Sequence, residues 1–237
     1  MRQIGQYGRL PALLPVGLAM LPTYAAPSLP TPPPSVEPPS VPWGMLGNDT
    51  YGDCGVAGLQ HLLMADASMT HETVQWPTSQ EVVRYYLNYT QGNNSGVVLS
   101  QFLAYVRRNG YPNGQKVTAY APISPQDVES VRVAIASYGG AYSGIVVTQG
   151  MEAAFRNGTP WDLDATYSEP AGGHCVPLVG YDSSYLYAVT WGAIQPVAFS
   201  AWHRIAEESW AVITGELSDG DGRGLSASQL LADLDKL

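Results

Sequence analysis

Two cysteines and four histidines are the side chains of this 237-residue chain best suited to nucleophilic or proton-transfer chemistry near neutral pH. Cys54 stands in Gly52-Asp53-Cys54-Gly55 and opens a run with apolar or small residues at Val56, Ala57, Leu59, Leu62, Leu63, Met64 and Ala67. That pattern predicts a buried helix with Cys54 in its first turn, where free N–H groups and the helix dipole favour thiolate over thiol. A thiolate nucleophile needs a base and later a general acid, and histidine suits both tasks. His174 is the best placed: it follows Gly172-Gly173, which admits a close chain approach, and begins a β-type segment at 175–181.

The remaining cysteine and histidines have plainer readings. Successive strand residues face opposite sides, so if His174 faces a cleft then Cys175 faces the core, with a Cys54–Cys175 disulfide as the lesser alternative. His61 lies seven residues after Cys54, two turns along the same helix face, and reads as a buried hydrogen-bonded histidine. His71 and His203 have no assignable partner. Trp161-Asp162-Leu163-Asp164 reads as an acidic surface loop, with cleft lining as the alternative.

A catalytic pair this far apart in sequence requires a fold to bring it together. With 45% hydrophobic and 13% charged residues the chain supports one principal core. Eleven Lys and Arg against 20 Asp and Glu, a formal charge of -9, argue against nucleic-acid binding. Two cysteines are too few for a disulfide scaffold and form no zinc-finger spacing with the histidines. Residues 10–21 are apolar and follow Arg2 and Arg9, but Pro11 and Pro15 break the run, which is too short to span a membrane; a retained arm is favoured over a signal peptide.

Prolines dominate residues 22–42 and impose extended geometry, so residues 1–42 are expected to form a Pro-rich arm with few contacts to its own body, held instead by neighbouring chains. Residues 43–215 form the main domain and 216–237 a linker with an amphipathic C-terminal helix. Thr78-x-x-Glu81 predicts a capped helix, 100–108 another ending at Gly110, and Ser124-x-x-Asp127 a fourth through Ile135. Strands are predicted at 142–148, 175–181, 185–191, 195–199 and 210–214, with a short helix at 202–207. Helices first and strands after make the fold class α+β.

Asn48-x5-Cys54, Gly173-His174-x-Val176-x-Leu178-Val179-Gly180-Tyr181 and Trp191-Gly192, in that order over roughly residues 43–214, resemble papain-like cysteine peptidases. The run Trp43-Gly44-Met45-x-Gly47-Asn48-Asp49-x-x-Gly52-Asp53-Cys54, with the arm and the C-terminal helix, is similar to papain-like proteins encoded by actinobacterial phages and prophages. The resemblance implies a helical half carrying Cys54 and an antiparallel β half carrying His174. It also implies catalytic roles for Cys54 and His174, and for Asn48, which stands where the family has a glutamine serving the oxyanion hole. The chain departs from the family at Val189, where an Asn or Asp orients the histidine; Thr190, a carbonyl or water must then take that task.

Two functions follow from the resemblance. One is a thiol hydrolase of peptide or isopeptide bonds, acting on a peptide or protein substrate without a cofactor or metal. The other is a virion structural or accessory protein, a capsid or tail component, that uses the fold as a scaffold and meets neighbouring virion proteins through its arm. Both place the protein in a virion or host cytoplasm, with no nucleic-acid or membrane partner.

Overall fold

The computed structural model describes residues 1–237. Its first long helix, α1 (Cys54–Met69), is buried from Cys54 through Ala67, which explains why the sequence shows no polar face there. Gly55 and Gly58 let it lie close to its neighbours: a Cβ at Gly58 would stand 3.1 Å from Cys175 Sγ, and Tyr142 donates to the Gly55 carbonyl at 2.7 Å.

Helix α2 (Ser79–Tyr89) starts at the expected capping box, in which Thr78 and Glu81 satisfy each other's backbone N–H groups. Helix α3 (Leu99–Asn109) stops at Gly110, whose φ of 68° suits glycine. Strand β1 (Ala119–Ile123) precedes α4 (Val128–Ser137), which is capped by Asp127 rather than by Ser124. Then come β2 (Ala141–Thr148), α5 (Gln149–Asn157), β3 (Pro170–Tyr181), β4 (Tyr185–Thr190), β5 (Ala193–Ala198), α6 (Phe199–Ile205), β6 (Ala206–Ile213) and α7 (Ala227–Leu234).

The strands form one antiparallel sheet in the order β1-β6-β2-β3-β4-β5. Helix α1 packs on β3, so the first turn of a central helix meets the start of a central strand. The α+β reading holds, but helices and strands interleave more than the sequence suggests. Strand β1 escaped notice because Pro122 reads as a breaker, yet β1 is an edge strand that pairs only with β6, where a proline is tolerated. Helix α5 escaped because Gly150 interrupts its first turn. No helix is long and apolar enough to cross a membrane.

The expectation that the arm makes few contacts with its own body is corrected. Arg9 pairs with Val97 in a β-bridge, and Leu21 and Tyr24 are fully buried. Tyr24 O accepts from Ser226 N at 2.7 Å beside α7, and Val36 bridges Tyr181 at the end of β3. The arm is extended, as its prolines require, but extended chain still offers main-chain hydrogen-bond groups wherever a residue other than proline stands.

Candidate active site

Cys54 and His174 line one small pocket together with Asn48, Thr190 and Trp191. Strand register places His174 opposite Ile145 and Cys175 opposite Gly144. Cys175 faces α1 at Gly58, so the two neighbours point to opposite sides as strand geometry demands. Both cysteines are free thiols.

The His174 ring is buried and its two nitrogens differ. Nε2 lies 2.8 Å from Thr190 Oγ1, while Nδ1 is buried without a hydrogen-bond partner. Thr190 therefore takes the orienting place that Val189 cannot fill, and Nδ1 makes no hydrogen bond to the Cys54 thiol. The Trp191 ring covers His174 with centroids 4.9 Å apart, and Phe155 and Trp161 pack edge-on against Trp191. This aromatic stack shields the His174–Thr190 bond from water.

Asn48 is 3% exposed, and its Nδ2 donates to the carbonyls of Gln6 at 3.0 Å and Tyr51 at 3.1 Å. Gln6 belongs to the arm, and its N–H donates back to Asn48 O at 2.7 Å. Residues 5–10 thus run through the cleft between the two halves. The contacts are close enough to require glycine: a Cβ at Gly8 would lie 1.7 Å from Gly52 O, and one at Gly172 would lie 2.6 Å from Tyr7 Cγ. Tyr7 stands edge-on to His174 at 5.9 Å and donates its hydroxyl to Glu152 Oε1 at 2.5 Å.

This covering sets the protonation states. Burial pushes the Cys54 thiol up to about 12, although the backbone amides of Cys175, Gly8 and Gly55 pull the other way. Burial first and the Arg9 guanidinium second hold His174 down to about 3. The expectation that the helix N-terminus yields a thiolate is therefore corrected for the covered cleft: desolvation outweighs the dipole, and both groups are neutral. Asp53, fully buried with neither carboxyl oxygen paired, is pushed up to about 8 by burial and is protonated at neutral pH.

The other histidines fall as their surroundings dictate. His61 Nε2 reaches the Trp43 and Gly44 carbonyls at 2.7 and 3.1 Å, and burial lowers it to about 4. His203 Nδ1 lies 2.9 Å from Gln126 Oε1, a partner the sequence does not reveal. Trp161 is fully buried and donates to Met151 O at 2.8 Å, while Asp162 accepts from the Ala165 N–H in an exposed turn, so this segment does not line the cleft. Sequence reasoning missed the arm residues in the cleft, where Gly8 lies against Gly52 and Gly96, Tyr7 against Gly172 and Arg9 against Gly173.

Solved structures share this architecture. Xylellain, a cysteine protease from Xylella fastidiosa, superposes with a TM-score of 0.67 at 15% identity over 91% of this chain and 98% of that one. The cysteine protease and lectin-like domains of Cwp84, a surface-layer-associated protein of Clostridium difficile, give 0.60 at 12% identity over 91% and 57% of the two chains. Digestive procathepsin L 3 of the Tenebrio molitor larval midgut gives 0.55 at 13% identity over 90% and 76%. The fold is that of the papain-like cysteine proteases. No family profile and no curated protein matches the chain.

Proposed function

We propose that the protein is a thiol hydrolase of peptide or isopeptide bonds, held latent by its own residues 5–10. The observation that carries this reading is the shared pocket of Cys54, His174 and Asn48, with Thr190 on the far nitrogen of the imidazole. Thr190 Oγ1 accepts from Nε2–H, which leaves the Nδ1 lone pair to take the Cys54 proton. The thiolate attacks the substrate carbonyl carbon, and the oxyanion receives Asn48 Nδ2–H and the Cys54 backbone N–H. Nδ1–H then passes its proton to the leaving amine, and water hydrolyses the thioester.

In the resting chain this sequence cannot begin. The Asn48 amide is engaged by Gln6 O, and with Cys54 pushed up to about 12 and His174 held down to about 3 the imidazole cannot take the thiol proton under the arm. Lifting residues 5–10 restores water to the pocket and removes the Arg9 charge, and both changes favour the thiolate–imidazolium pair.

A second reading is a phage virion component that uses the fold as a scaffold, favoured by the neutral, covered Cys54 and His174. The seating of the arm on its own body counts against a role for it along neighbouring virion proteins. The two readings part in the full chain carrying Gly8→Val, which unseats the segment. The peptidase reading expects thiol-dependent peptide hydrolysis that Cys54→Ala abolishes and Thr190→Val lowers by about tenfold to a hundredfold. Absence of hydrolysis, with Cys54 no more reactive to iodoacetamide than Cys175, would leave the scaffold reading.

A further inference from the structure

The arm lies in the cleft by contacts of two kinds. Its main chain is held as any extended peptide would be: Val97 N donates to Gly8 O at 2.8 Å, Leu10 N to Val97 O at 3.0 Å, and Arg9 N to Gly173 O at 3.2 Å. Its side chains meet constraints that belong to the body. At residue 8 there is no room for a Cβ, and at residue 9 there is a slot.

The slot is made by strands β2, β3 and β6. Gly144 and Gly173 form its walls, since a Cβ at Gly144 would stand 2.5 Å from Arg9 Cδ and one at Gly173 would stand 2.6 Å from Arg9 O. At its end the Arg9 guanidinium meets two acids, Glu207 through Nη2 and Glu208 through Nη1 at 3.3 Å. The Glu208 side chain is 2% exposed and is fixed by Trp210, whose indole N–H donates to Oε2 at 3.0 Å. Glu207 is half exposed at the rim.

A plain ion pair that anchors the arm would need one acid and no glycine walls. Moreover, when the arm leaves, Glu208 loses its cationic partner and the slot opens to water. A peptide that seals the slot again desolvates that acid, so it gains most by bringing its own cation.

We propose that this slot selects the peptide that enters the cleft, one carrying arginine or lysine beside glycine, and that Glu208 sets the preference. The proposal rests on reading the cleft as a peptide-binding site. Residues 5–10 then act as a built-in occupant that shows, in their own sequence, what the body accepts.

The test uses the full chain carrying Gly8→Val and Cys54→Ala, so that binding is read without turnover. The probes are fluorescent peptide amides, Leu-Arg-Gly-Tyr and Tyr-Gly-Arg-Leu, covering both chain directions, each paired with a version in which glutamine replaces arginine. In at least one direction the arginine peptide should bind about tenfold more tightly than its glutamine counterpart. Adding Glu208→Gln should erase that ratio, and Glu208→Asp should restore part of it. Equal affinities, or a ratio that survives Glu208→Gln, overturn the proposal. Hydrolysis by the Cys54-bearing chain is scored separately: turnover without arginine preference removes the slot and keeps the peptidase, and preference without turnover does the reverse. If the double variant does not fold, the full chain with Arg9→Ala serves. Ethylguanidinium should raise its melting temperature but not that of Arg9→Ala/Glu208→Gln, and equal shifts in the two chains overturn the assignment.

Discussion

Two stretches of the arm are anchored on the same strand in similar ways and behave differently. Residues 5–10 meet the start of β3 through Arg9 N and Gly173 O, and residues 33–36 meet its end through Val36 and Tyr181, whose N–H and C=O groups exchange bonds of 2.8 and 2.9 Å. Both are extended. The first buries Arg9 and fits two glycines against the body, whereas the second leaves Pro33, Pro34 and Ser35 exposed. Main-chain bonds and the Tyr181 hydroxyl, which donates to Pro33 O at 2.7 Å, fasten the second stretch, and only the first adds a buried Arg9 and a close-fitting Gly8 in the cleft.

The strongest way to break the comparison is Gly8→Val. A branched side chain at that position drives into the Gly52 backbone, so the segment must leave while the Val36 anchor holds. Alkylation of Cys54 by iodoacetamide at neutral pH should accelerate on the order of a hundredfold, with Cys175 unchanged.

Acid should produce the next largest effect. Under the arm His174 titrates at about 3, against 6.5 for an ordinary histidine, so the released state binds a proton that the seated state refuses. As pH falls below about 6.5 towards 3, the seated state is therefore weakened, by at most about tenfold per pH unit. Hydrogen exchange at the Arg9 amide, corrected for its intrinsic rate, should show increased opening on acidification, and His174→Gln should flatten that dependence. An unchanged slope in the glutamine variant would assign the sensitivity to another group.

Tyr7→Phe should loosen the first stretch more gently. It removes one hydroxyl bond to Glu152, a net loss of about 1 kcal/mol, and should raise Cys54 alkylation about fivefold. Pro34→Ala in the second stretch is the smallest change: stability should stay within about 0.5 kcal/mol and Cys54 reactivity should not move. A clear rise in reactivity there would show that the two stretches open as one unit.

Much of this arrangement is legible in the residues themselves. Cys54 at the head of an apolar run gives the helix start, because periodicity acts locally, whereas β3 begins at Pro170, upstream of the glycine pair that reads as its boundary. Val189 announces that an unusual group must orient the imidazole, and Thr190, its neighbour, does so. The occupant of the cleft is less legible, because the fit of Gly8 to Gly52, and of Arg9 to Gly144 and Glu208, joins residues far apart in sequence. Prolines at 22–42 describe backbone stiffness and carry no record of where the stiff chain lies. The neutral state of Cys54 follows from that placement, since burial is a property of the folded chain.

The burial of Leu21 and Tyr24 bears on competition. When residues 5–10 lift away they remain leashed to the body at Leu21 and Tyr24, a tether of about ten residues that holds them at an effective concentration on the order of millimolar. Under the peptidase proposal a free peptide must outcompete that local concentration, so rapid reversible opening alone would yield little turnover at dilute substrate. Leu13, Leu14 and Val16 lie exposed on the leash, at 52%, 54% and 96%. A single cut there would turn a reversible occupant into a diffusible fragment, and a rapid equilibrium into a one-way transition.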